Sequence, residues 1–171
     1  MRRTIIIMMA AALILTFTGL SLAIHIGDER NPELPGTLLT GPNLWKYITV
    51  DKPYTEWDLW PGKGKMYEGT EPHGALLTVY VTKGARQAIE KKKGKFANAA
   101  IIVKENYKPD KTLAAVTVMY KGKGYNPEAG DWFWAKYNPD GSVDKAGKVA
   151  GCIKCHSAKA DNDWVFTGEI K

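Results

Sequence analysis

Metal-binding side chains are scarce in this sequence, which has two cysteines and three histidines among its 171 residues. A structural zinc site normally draws on four protein ligands, so this inventory argues against one. The length suits one domain with a real core, and no internal repeat interrupts it. Excess charge of one sign is also modest. The formal net charge is +6, and two of those charges go if Arg2 and Arg3 are removed. That balance does not describe a nucleic-acid-binding surface. The densest basic cluster, Lys91 to Lys93 with Lys95, flanks Gly94 after a helical pattern and reads as a solvated helix end.

Charged side chains are missing altogether between Thr4 and Gly27. Such a run is an export signal or a membrane anchor. A signal peptide needs an apolar stretch of about 7–15 residues with small residues at the cut, which Ile5 to Phe17 and Ser21-Leu22-Ala23 supply. A span needs about 20, and Thr4 to Ile26 is just long enough. Residues 1–24 therefore read as a signal peptide, cleaved near Ala23, or as an anchor. Residues 25–42, with prolines at 32, 35 and 42, read as an extended tether, and residues 43–171 as the functional domain. Either way the domain leaves the cytoplasm, and the periplasm is the expected compartment.

What few sulfur and imidazole groups exist are concentrated. Cys152-Ile153-Lys154-Cys155-His156 has the spacing of a c-type haem attachment site. Each thiol can form a thioether to one haem vinyl group, and the adjacent histidine then serves as axial ligand to the iron. A redox dithiol would normally open a helix in a βαβ unit, and only fifteen residues follow His156. The expected cofactor is one covalent haem c on Cys152 and Cys155, with His156 on the metal.

The middle of the chain reads as strands. Leu76 to Thr82, Ala99 to Glu105, Leu113 to Lys121 and Trp132 to Tyr137 are rich in β-branched and aromatic residues, and Asn138-Pro139-Asp140-Gly141 supplies a tight turn. Gly84 to Lys93 has the spacing of one amphipathic helix. Short helices are expected from Asn43 and near Tyr54 to Trp57. The fold class is mainly β (α+β), a single domain built as an antiparallel sheet with a few helices. Trp132 and Trp134 share one strand face, and Phe133 and Ala135 the other, so one face can wall the haem. Tyr80 and Tyr120 are further candidates for that wall.

No methionine or histidine follows His156, so a sixth iron ligand must come from upstream: His73, Met66, Met119 or a lysine. Met119 reads better as a core residue and His73, between Pro72 and Gly74, as a loop histidine. That leaves the iron five-coordinate. The four-helix cytochromes c prime also carry their motif late in the chain, but the strand-rich middle cannot build four long helices.

Pro72-His73-Gly74, Leu77 to Val81, Ile101 to Glu105, Gly130 to Ala135, the haem motif and Asp163 to Thr167 together resemble the cytochrome P-460 family, closest to its beta-sheet cytochromes c prime. The similarity runs from about Trp57 to Thr167. It implies a mostly antiparallel sheet over a haem with His156 as proximal ligand, and it makes a homodimer plausible. In the P-460 enzymes, which oxidise hydroxylamine, a lysine is cross-linked to the porphyrin edge. The alignment puts Leu77 at that position, where no cross-link can form. On the same resemblance a distal arginine of the enzymes falls near Thr55, and a distal position that can carry a carboxylate near Asn126, beside Tyr125; both departures remove help with proton transfer. The reading that follows is an exported c-type cytochrome whose five-coordinate haem binds nitric oxide, carbon monoxide or a similar small gas; the alternatives are a hydroxylamine-oxidising enzyme and a periplasmic electron carrier with an acidic redox partner.

Overall fold

The computed structural model describes residues 38–70 and 72–171. Its spine is one antiparallel sheet of β1 (Asp58–Leu59), β2 (Tyr67–Glu68), β3 (Leu76–Val81), β4 (Ile101–Tyr107), β5 (Leu113–Lys121), β6 (Trp132–Tyr137) and β7 (Val143–Gly147), ordered β1-β3-β4-β5-β6-β7 with β2 also on β3. The four long strands lie where the apolar runs predict them. The turn at Asn138 to Gly141 sends the chain back as β7, an edge strand whose Asp144 and Lys145 are exposed. The two-residue strands β1 and β2 carry too little pattern to be read from sequence.

Pairing register sorts the side chains into two cores. Val81, Ile102, Met119 and Trp134 form one cross-strand row, and Val79, Lys104, Thr117 and Lys136 the next. This face is covered by α2 (Lys83–Glu90), by Phe96 and by the carboxyl-terminal residues Trp164, Val165 and Ile170. The opposite face carries Tyr80, Val103, Val118, Phe133 and Tyr137 and is covered by Leu44 and Ile48. Because successive strand residues point to opposite sides, Trp132 and Trp134 do share a face.

Two expectations near the start need correction. Helix α1 (Gly41–Lys46) begins inside the expected tether, with Pro42 in the first turn, where a missing N–H costs nothing. Its cap is Thr40, whose hydroxyl accepts from the Asn43 N–H at 3.4 Å, rather than Asn43 itself. The helix expected from Tyr54 is a single 3-10 turn, Tyr54–Glu56, because the chain enters β1 two residues later. Tether residues 25–37 and the apolar run at 4–26 lie outside the described residues. Among the described residues no helix is long and apolar enough to cross a membrane.

After β7 the chain forms α3 (Ala150–His156), which carries the motif, then a 3-10 segment at Ser157–Asn162. Asp163 and Trp164 follow in the left-handed region, at φ +49° and +70°. That reversal is held from three sides. The Asp163 carboxylate accepts from Lys121 Nζ at 2.5 Å and from the Phe96 N–H at 2.8 Å, and its carbonyl accepts from Trp132 Nε1 at 2.9 Å.

Candidate functional site

His156 ends α3 with its ring buried at 8 % exposure. Its Nδ1 lies 2.6 Å from the Trp164 carbonyl oxygen. A carbonyl can only accept, so Nδ1 carries the proton and Nε2 keeps a free lone pair. The ring sits 4.6 Å from Trp134, 5.3 Å from Phe166 and 6.2 Å from His73, centre to centre. Burial pushes the imidazole below its ordinary range, against the hydrogen bond to Trp164. Cys152 is half-buried and Cys155 exposed, both as free thiols, and burial pushes the Cys152 thiol up.

Three adjoining clefts, of about 310, 50 and 410 Å³, are each bordered by both His73 and His156. Cys155 borders the two larger ones, and Cys152 lies on the smallest and the largest of the three. The sheet supplies the floor through Ile102, Lys104, Thr117 and Met119, and Tyr67, Leu77 and Phe166 stand at the sides.

Of the residues proposed from sequence for the distal pocket or haem wall, the structure brings Leu77, Met119 and Trp134 to these clefts. The others are elsewhere. Thr55 is exposed in its 3-10 turn. Tyr80 is buried on the opposite sheet face, 5.3 Å from the Tyr54 ring, because an even position on β3 points away from Leu77 and Val79. Tyr125 packs 5.6 Å from Phe133 in that same core. Asn126 is buried in the loop before β6, where its N–H donates to Asp131 Oδ1 at 3.1 Å. Trp132 is interior to the core on the cleft side but one row beyond the clefts, tied to Asp163.

Sequence reasoning missed two residues that matter more. Lys104 lies on the cleft floor, and burial brings its ammonium down to about 8. Asn106 is 4 % exposed and lies two residues further along the same strand face. The signal was available: Lys104 and Asn106 are polar residues at alternate positions of a strand that is otherwise apolar on that side. His73, read as a loop histidine, is drawn against His156. Burial, then the nearby Lys104 and His156, bring it down to about 4, with the Asn106 hydrogen bond opposing.

A family model for Cytochrome P460 matches residues 52–167. The chain belongs to the cytochrome P460 family. No curated protein matches it at a significant level. As a cytochrome P460 protein it is a c-type haem protein, and its residues fit that group. Two thiols stand at the cleft edge with an imidazole whose Nε2 is free. The Trp134 Nε1, buried beside them, has no hydrogen-bond partner among the described residues. In this cytochrome P460 site Lys104 is half-buried on the cleft floor and Leu77 stands on the cleft wall.

Proposed function

We propose that this cytochrome P460 protein carries one haem c on Cys152 and Cys155, with His156 on the iron, and exchanges single electrons with a partner protein in the periplasm. The observation that carries the reading is the position of Cys155. It is exposed at the meeting of the two larger clefts, so the porphyrin edge tethered there reaches the surface, where one-electron exchange takes place. Lys63, Lys136 and Lys145 border the same clefts and suit an acidic partner. Among the described residues the only carboxylate bordering the three clefts is the exposed Glu68, which weighs against a buried general base for hydroxylamine oxidation. Stopped-flow mixing with an acidic redox protein tests the proposal. Exchange that is fast and slows steeply with ionic strength supports it. Exchange that is slow and indifferent to salt overturns it.

A second reading, binding of nitric oxide or carbon monoxide, is favoured by the apolar wall of Leu77, Ile102, Met119 and Trp134. Such a wall suits a neutral gas better than a charged intermediate. It requires a coordination position open opposite His156. A nitric oxide adduct forming at once on the reduced protein supports this reading; no adduct removes it.

A further inference from the structure

We infer that His73 is the second axial ligand, so that the iron is held by two imidazoles, His73 and His156. The inference rests on the proposed tethering of haem at Cys152 and Cys155.

Three independent features converge on it. The first is distance. An imidazole nitrogen binds a metal at about 2 Å and lies about 1 Å from its own ring centre, so two rings on opposite sides of one iron stand roughly 6 Å apart. The His73 and His156 ring centres are 6.2 Å apart, with their planes at 84°.

The second is the tautomer of each ring. Asn106 Nδ2 donates to the Lys104 carbonyl at 3.0 Å, to the Ala115 carbonyl at 3.2 Å and to Thr117 Oγ1 at 3.2 Å. These acceptors fix which end of the amide is nitrogen, so Asn106 Oδ1 is the atom 3.1 Å from His73 Nδ1. An amide oxygen only accepts, which puts the proton on His73 Nδ1 and leaves Nε2 as a free lone pair. The Trp164 carbonyl does the same for His156. An oriented Nδ1–H with a bare Nε2 is the arrangement that metal-ligating histidines have. A loop histidine meant only to fill space needs no such lock.

The third is the shape of the space. His73 and His156 both border all three clefts, so open volume lies on several sides of the line between them, where a planar ring coordinated along that line must extend. Gly74, next to His73, is also closely seated. A Cβ on Gly74 would lie 2.7 Å from the backbone N and O of Tyr107, so the loop backbone rests directly on the end of β4.

Rival ligands are less well placed. Met66 is 37 % exposed and borders none of the three clefts. Of the three clefts Met119 borders only the smallest, paired across the sheet with Trp134. Lys104 is the nearest competitor and is separated by experiment.

The full-length exported protein is compared with His73→Ala, His73→Met and Lys104→Met by absorption and electron paramagnetic resonance, with carbon monoxide added to the reduced forms. A pigment that resists acidified acetone first establishes the tether; its release defeats the underlying reading rather than this one. Given the tether, wild type and Lys104→Met are expected to be low-spin in both oxidation states and to bind carbon monoxide slowly or not at all. His73→Ala is expected to turn high-spin and bind carbon monoxide at once, and added imidazole should restore the low-spin spectrum. His73→Met should stay low-spin with a changed charge-transfer band, which shows that the fold survives. A high-spin wild type, an unchanged His73→Ala spectrum, or a spin change in Lys104→Met alone each overturns the inference.

Discussion

Lys121 Nζ donates to Asp163 Oδ1 at 2.5 Å in the interior, where the two side chains keep only 11 % and 4 % of their exposure. Burial still lowers the Lys121 ammonium, so the pair is not a free gain in stability. Its value lies in what it holds: Asp163 begins the left-handed reversal that aims the Trp164 carbonyl at His156. Asp163→Ala leaves Lys121 buried without its partner and strands the Phe96 N–H. We expect a loss of about 3–5 kcal/mol in denaturant unfolding. The same variant should broaden the haem spectrum, because His156 loses its fixed acceptor.

On the far face of the sheet Glu105 accepts from Tyr54 OH at 3.0 Å and from Tyr107 OH at 2.7 Å. Burial first, then the Glu105 charge, pushes the Tyr54 phenol up; burial, helped by the Glu105 hydrogen bond, does the same for Tyr107, and burial alone for Tyr137. An unfolded tyrosine titrates near pH 10, while these hold their protons to higher pH. The unfolded state therefore binds fewer protons above that point, and stability is expected to be intact below pH 10 and to fall as pH rises beyond it. Tyr54→Phe should cost about 1.5–3 kcal/mol at neutral pH and flatten the alkaline fall. Urea unfolding at a series of alkaline pH values measures both.

Replacing Cys152 and Cys155 together by serine removes both thioether sulfurs. We expect the product to be exported but to lose its pigment into acidified acetone, whereas each single variant keeps one attachment point. Mass spectrometry of the haem peptide from wild type should show a porphyrin on these two cysteines. An additional bond to Lys104 would reopen the hydroxylamine reading.

Gly74→Ala puts a methyl group against the Tyr107 backbone, which cannot swing aside as a side chain can. The expected cost is about 1–3 kcal/mol from overpacking, read as a lowered unfolding midpoint. The accompanying shift of the His73 loop should raise the high-spin fraction of the spectrum.

The sheet was largely legible because its four long strands announce themselves by β-branched and aromatic runs, and because a register of period two fixes which residues share a face. The thiols and His156 stand out in the sequence because their local spacing is fixed, and all three border the clefts. The rest of the site depends on contacts between distant segments. His73 meets His156 across 83 positions of sequence, through a loop whose Pro and Gly suggest only a turn. Tyr80 and Trp132 look like suitable aromatic walls from composition. One is sent to the wrong face by strand parity, and the other sits one row too far along the sheet.

Helix α3 has seven residues, and Val149 at its start offers no side-chain cap. Helices that short do not persist in water without packing partners. Here the partners are present: Val149, Cys152 and Ile153 pack against the core and the His156 ring is buried. Tertiary contacts, rather than the helix's own backbone, therefore hold both thiols in place, downstream of every strand.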